Sequence, residues 1–171
     1  VTAIVTVTVS APPPPPGCTL AGFTTFTPGG WGAPPSGNNP GMLLRTNFAA
    51  VYPSGSVTIG GTKTLKFTSA AAIEAFLPAG GGPSVLTSSA VNPTTAGGGN
   101  FAGHTLSMQL ALDFSNKGTL KSGLGNLVMV SGPLAGQTVA QVIALANIVL
   151  GGNTGALPSG MSVSTLSGIV A

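Results

Sequence analysis

The chain has 171 residues, enough for one domain with a sizeable core, and only 4% of them are charged, against about 25% in ordinary soluble domains. Five Lys and Arg residues and two Asp and Glu residues give a formal net charge of +3. The basic residues are scattered along the chain, so we expect no nucleic-acid interface. No stretch reaches about 18 consecutive apolar residues, so we expect no transmembrane segment.

The first ten residues alternate apolar with hydroxyl-bearing side chains and lead into five prolines, Pro12 to Pro16. This alternation of β-branched residues predicts a strand at 1–11. Proline cannot donate ladder hydrogen bonds and favours an extended rod, so residues 12–17 form a linker that separates the strand from a domain at 18–171. The strand must pair with a sheet edge of its own domain or of a neighbouring molecule. Its apolar face consists of Val1, Ala3, Val5, Val7 and Val9.

Cys18 directly follows the linker and is the only cysteine. Two interpretations stay open: a small buried apolar residue, or a disulfide partner for a cysteine elsewhere.

The richness in Thr, Ser and Gly with little charge is typical of secreted bacterial surface proteins, so we expect an extracellular or cell-surface location. No signal peptide precedes Val1, which indicates a processed or trimmed product. The Thr/Ser-rich stretches are candidates for O-glycosylation.

The first predicted helix of the domain follows a glycine-rich loop. Trp31 lies in that loop between glycines, either as an anchor packed on the core, which we favour, or as a platform on which a ligand stacks. Asn39 can cap a helix with Pro40 in its first turn, and apolar residues at three- and four-residue spacing carry that helix to about Tyr52.

Two short strands come next. One contains Val57 and Ile59 and the other contains Leu65 and Phe67, with Gly60-Gly61 as a tight turn between them. Ser69 then predicts the start of a short helix over residues 70–77.

The second half of the chain is predicted to be mainly helical. The apolar residues of 106–114 fit both the two-residue period of a strand and the 3.6-residue period of a helix. The segment is rich in strong helix formers, which favours a helix. Residues 138–150 give the clearest helical pattern, and 162–171 begin another. Residues 84–87 and 127–131 read as short strands, the latter buried. The predicted fold class is therefore a small α+β domain of several helices and short strands.

The sequence offers few groups for chemistry. Glu74 and Asp113 are isolated carboxylates, best explained as solvated or hydrogen-bonded structural residues, and His104 has no neighbours at metal-ligand spacing. No nucleophile elbow or phosphate-binding loop is present. We therefore predict no enzyme activity, no catalytic residues, no metal and no cofactor.

Three non-catalytic functions remain, of which ice binding has only scattered T-x-T triplets without a repeat in its favour, such as those at residues 6–8 and 62–64. The first is a structural subunit of an extracellular filament or surface matrix, a homopolymer in which the N-terminal strand of one copy inserts into the sheet of the next. The alternative is an adhesion or carbohydrate-binding module of a larger surface protein, with Trp31 and Tyr52 on the glycan-binding surface. The candidate acceptor strands for the first function contain Val57, Ile59, Leu65, Phe67, Leu127, Val128 and Val130.

The segment from Gly29 to Gly41 reads GGWGAPPSGNNPG. With Asn47-Phe48, residues 57–61, 75–78, 101–114 and 136–152, it resembles an uncharacterised family of bacterial secreted and cell-surface domains found behind proline-rich linkers. The resemblance implies a surface or matrix role, a helix at 106–114 and no known catalytic residues. Members tend to carry one cysteine at the start of the domain, where Cys18 lies, and another near its end. The resemblance thus implies either a partner for Cys18 beyond Ala171 or a free thiol.

Overall fold

The structure is a computed structural model that describes residues 20–95 and 97–171. The predicted N-terminal strand, the proline linker and Cys18 lie outside the described residues. The described part contains six helices and a three-stranded sheet, which confirms the predicted α+β class. The helices are α1 (Pro28–Trp31), α2 (Pro40–Val51), α3 (Ala70–Phe76), α4 (Gly99–Asn116), α5 (Val139–Leu150) and α6 (Val163–Ile169). The strands are β1 (Val57–Gly60), β2 (Thr64–Phe67) and β3 (Ala90–Val91).

Helix α4 forms the centre of the core. It contacts α1, α5, α6 and β1, and apolar side chains around most of it are buried. A helix that is apolar over most of its circumference belongs in an interior, whereas the stripe of Gln109, Asp113 and Asn116 is suited to water. The predicted helix at 106–114 is thus confirmed, as part of a longer one. Its fully buried large side chains are Phe101, Leu106, Leu110 and Phe114.

Side-chain caps fix where the predicted helices begin. The Asn39 Oδ1 atom accepts the Met42 N–H at 2.8 Å at the start of α2. Thr138 and Gln141 form a reciprocal capping box at the start of α5. The Ser69 and Ser162 side chains cap α3 and α6 by accepting the N–H groups of Ala72 and Thr165. Each of these caps satisfies main-chain N–H groups that have no partner within the helix.

The sheet has the order β1-β2-β3. Strand β1 pairs antiparallel with β2, with Ile59 opposite Leu65, through a turn in which Gly60 adopts a φ of 103°. Strand β3 pairs parallel with the other side of β2. Buried side chains from β1 and β2 face the helices, as alternation predicts. These are Val57, Ile59, Leu65 and Phe67.

The predicted strand at 84–87 is wrong. The Ser84 N–H donates to the Gly98 carbonyl and the Leu86 N–H to the Leu150 carbonyl, so this segment bridges two helix ends and joins no sheet. Strand β3 occupies the free side of β2 instead, and Asn92 extends that contact by donating its N–H to the Lys66 carbonyl.

The prediction of a short buried strand at 127–131 is also wrong. Only Val128 forms a β-bridge, with Thr138, and Val130 is 94% exposed. The partner segment lies directly before α5 at the surface, so only alternate residues reach the core. Leu127 and Met129 are half-buried, whereas Val128 and Val130 are exposed.

None of the helices in the described residues is long and apolar enough to span a lipid bilayer.

Candidate functional site

A cleft of about 480 Å³ opens between the C-terminal half of α4 and the outer edge of β1. We call it the Thr58 cleft. Helix α4 contributes Gln109 and Asp113, followed by Asn116 and Lys117 at its end. The remaining lining residues, from the end of α2 and from β1 with the loop before it, are Val51, Tyr52, Ser56, Val57 and Thr58.

A chain of hydrogen bonds holds one wall of the Thr58 cleft. The Gly60 N–H donates to Asn147 Oδ1 at 2.8 Å, and Asn147 Nδ2 donates to Gln109 Oε1 at 3.1 Å. Gln109 Nε2 donates in turn to Asp113 Oδ1 at 2.9 Å, and the Tyr52 hydroxyl donates to Asp113 Oδ2 at 2.9 Å. The Gly60 N–H can only donate, which fixes the orientation of both amides. Every bond of the chain therefore leads toward the carboxylate.

Burial dominates the titration of this pair. Loss of solvent raises the pKa of Asp113 above its ordinary value of 3.8, although the hydrogen bonds from Tyr52 and Gln109 act in the opposite direction. Burial and the neighbouring Asp113 charge raise the pKa of Tyr52 far above its ordinary value. Tyr52 thus remains a hydrogen-bond donor at all physiological pH values.

Strand β1 presents one open main-chain position to the Thr58 cleft. Residues of an antiparallel ladder direct their N–H and C=O groups alternately toward and away from the partner strand. The Gly61 N–H bonds to the Lys63 carbonyl, on the β2 side, whereas the Gly60 N–H bonds outward to Asn147. Thr58 lies two residues before Gly60 and so faces outward too. Its N–H and C=O groups are therefore directed away from β2, at the strand edge that lines the cleft.

A second open edge lies at residues 127–130, which we call the valine edge. The Leu127 carbonyl accepts the Val139 N–H at 2.8 Å, and the Met129 N–H donates to the Gln137 carbonyl at 2.9 Å. Val128, between them, therefore directs its main-chain groups outward. Among the described residues, neither Val128 nor Val130 makes a main-chain hydrogen bond. Both side chains are also exposed, by 52% and 94%.

The structure separates the predicted acceptor strands. Leu65 and Phe67 lie on β2, which is paired with β1 on one side and β3 on the other, so their prediction as acceptors is wrong. Val57 and Ile59 direct their own main-chain groups toward β2, and only the intervening Thr58 is open. Leu127, Val128 and Val130 form the second open edge, although they are not part of a regular strand.

The predicted glycan-stacking surface does not exist in this structure. Trp31 is completely buried, with its ring centroid 5.1 Å from those of both Phe26 and Phe114, so it is the core anchor that the sequence favoured. Tyr52 is only 8% exposed and packs against Phe48. What remains of the prediction is that Tyr52 lines a cleft, through a hydroxyl that is already bonded to Asp113.

His104 and Glu74, the other titratable residues that the sequence singled out, are not part of the cleft. His104 Nδ1 lies 3.1 Å from the Ser167 carbonyl and from its hydroxyl, a contact that joins α4 to α6. Glu74 lies on α3. Within residues 20–95 and 97–171, no three His, Cys, Asp or Glu side chains are grouped to hold a metal ion.

Sequence reasoning treated Asp113 singly and missed its partners. The signal that was present is the four-residue spacing of Gln109 and Asp113, which places both on one face of a helix. Asn147 lies 38 residues after Gln109 in the chain and comes into contact with it only through the packing of α5 on α4.

Comparisons with family models, with curated proteins and with solved structures found no match to this chain.

Proposed function

We propose that this protein is a structural subunit of an extracellular filament or surface matrix. Residues 1–10 of one copy add as a strand to the valine edge of the next copy. The observation that carries the proposal is an edge with both unpaired main-chain groups and exposed valines, in a chain that begins with a strand pattern of alternating valines.

The two surfaces match chemically. Val128 and Val130 lie two residues apart in an extended segment and so share one face, like Val5 and Val7 in the N-terminal pattern. Pairing places β-branched side chains opposite one another, which stabilises a ladder by about 0.2–1 kcal/mol for each pair. Each valine that becomes fully buried adds roughly 1.5–3 kcal/mol.

The valine edge suits this strand better than the open position of β1. At β1, the neighbouring outward group of Gly60 is already bonded to Asn147, so only Thr58 is open. The wall beside Thr58 carries amide, carboxylate and ammonium groups. Apolar side chains placed there would desolvate these groups without replacing their hydrogen bonds to water.

Head-to-tail addition of a strand does not close on itself, so it propagates a filament. The five prolines of the 12–17 sequence restrict a chain toward extended conformations, and we expect this to favour pairing with a neighbour over pairing within the same domain. Contacts between subunits would also cover a surface that has few charges.

Two defective variants test the proposal. Deletion of residues 1–10 removes the donor and leaves the acceptor. The double variant Val128→Asp/Val130→Asp removes the acceptor and leaves the donor, because a charge in a desolvated strand pair is costly. We expect neither variant alone to form filaments in sedimentation assays and electron microscopy. Mixed together, they should form a one-to-one heterodimer, because one intact donor meets one intact acceptor.

Val91→Asp is the matched control, since Val91 is 64% exposed on β3 and belongs to neither proposed surface. It should polymerise like the unmodified chain. Fibres formed by the deletion variant, or normal assembly of the double variant, would refute the proposal.

A further inference from the structure

We infer that the Thr58 cleft binds a neutral saccharide of one or two units. This inference concerns a different surface from the valine edge and does not depend on the assembly proposal. It starts from the size of the cleft, about 480 Å³, which falls within the range of small-molecule sites, about 300–1,000 Å³.

The wall of the cleft is preorganised. The bonds from Gly60 through Asn147 and Gln109 hold the Asp113 carboxylate in one orientation, and Tyr52 holds it from the other side. A ligand therefore meets groups that are already ordered, so less conformational entropy is lost when it binds.

Several groups of the cleft remain available to a ligand. A carboxylate has about four acceptor positions, and Asp113 uses one on each oxygen. Thr58 offers an outward N–H and C=O. Asn116 and Lys117 are exposed at the end of α4 and add amide and ammonium donors. The cleft thus offers both donors and acceptors to a ligand.

This combination favours hydroxyl groups, because each hydroxyl both donates and accepts a hydrogen bond. The cleft contains one carboxylate and one ammonium group, so its formal charges cancel and do not favour an ionic ligand. Val51, which is half-buried, adds an apolar surface for the C–H groups of a sugar ring. A neutral polyhydroxylated ligand satisfies all three conditions.

An extended peptide fits the cleft less well. Strand addition needs a series of outward main-chain groups, and β1 offers those of Thr58 before Asn147 occupies the Gly60 N–H. One open residue supports about two main-chain bonds, and beside it, unlike at the valine edge, no exposed valines add apolar burial to offset the conformational free energy that the peptide backbone loses, about 1–2 kcal/mol per residue.

The test begins with a glycan array probed with the full chain, followed by calorimetric titration of the best neutral mono- or disaccharide. Asn116→Ala and Lys117→Ala should each weaken binding about three- to tenfold, the effect of one lost hydrogen bond. Asp113→Asn should weaken it at least as much. Circular dichroism checks that each variant keeps its fold.

Asn126→Ala and Lys66→Ala remove matched exposed side chains outside the cleft and should leave the affinity unchanged. The assembly-defective Val128→Asp/Val130→Asp variant should bind the saccharide as the unmodified chain does. Three results would overturn the inference: no saccharide bound on the array, binding that the three cleft variants leave unchanged, or selective binding of extended peptides in place of sugars.

Discussion

The valine edge and the Thr58 cleft both present unpaired main-chain groups, yet their side chains differ in kind. At the valine edge the neighbours are exposed valines, whereas beside Thr58 they are hydrogen-bonded polar groups. An open main-chain N–H and C=O can form hydrogen bonds with any extended segment, so they do not select a partner on their own. The neighbouring side chains determine whether an apolar strand or a polar ligand binds.

The difference arises from where each edge lies relative to the core helices. Strand β1 contacts α4 and α5, and polar side chains of these helices reach its outer side. The valine edge pairs only with the short segment that leads into α5. The first edge therefore has a second wall, and the second edge has none among the described residues.

The largest effect on stability is expected at Asn147, the side chain that bonds to the edge of β1 and has no counterpart at the valine edge among the described residues. Asn147→Ala leaves the Gly60 N–H and the Gln109 Oε1 atom without their partners. Because each unsatisfied group in a poorly hydrated site costs about 1–3 kcal/mol, we expect a loss of about 2–4 kcal/mol in the free energy of unfolding. Denaturant unfolding measures it.

Asn153→Ala is the control for that measurement, because Asn153 is exposed and should change stability by less than about 0.5 kcal/mol. A loss below about 1 kcal/mol in Asn147→Ala would mean that the hydrogen-bond chain does not hold the wall of the Thr58 cleft.

The second prediction concerns pH, because Asp113 is present in the cleft and absent from the valine edge. Its pKa in the folded chain is raised above the ordinary value of 3.8. At a pH between 3.8 and the raised pKa of the folded chain, Asp113 keeps its proton in the folded state and has lost it in the unfolded state. Stability from this group is therefore complete below pH of about 3.8 and declines as the pH rises through the folded pKa.

Glu74 is the only other acidic side chain, so few carboxylates oppose this trend. We expect the melting temperature to rise as the pH is lowered from about 6 to about 3, the reverse of ordinary acid denaturation. Asp113→Asn should flatten the profile over this range. A melting temperature of the unmodified chain that falls in acid would contradict the prediction.

Local signals made helices α2, α3, α5 and α6 predictable, whereas α1 (Pro28–Trp31) lies in a segment predicted to be a loop. Asn39, Ser69, Thr138 and Ser162 each cap a helix through a hydrogen bond to an N–H three residues later. That interaction depends on neighbours in sequence alone, so the pattern is sufficient. The hairpin of β1 and β2 was predictable for the same reason, since a short turn joins its strands.

Long-range choices were not predictable from the pattern. Residues 84–87 and 90–91 both have strand-like composition, and only packing places β3 beside β2. An apolar run such as 127–130 indicates burial, but whether it is covered depends on what lies above it in space. The partners of Asp113 are Tyr52, which directly follows α2, and Gln109 of α4, and the network reaches α5 only once the core has formed.

The smallest effect on stability is expected at the valine edge, where the same substitution can be compared at two positions. Val130→Thr replaces a methyl group that is already in water, so the free energy of unfolding should change by less than about 0.5 kcal/mol. Val57→Thr on β1 places a hydroxyl in a side chain that is 4% exposed, and should cost about 1–3 kcal/mol. Both variants keep a β-branched side chain, so the difference measures burial and not strand propensity. A comparable loss at both positions, in samples diluted until they are monomeric, would show that Val130 is covered within its own chain and would remove the valine edge as an open surface.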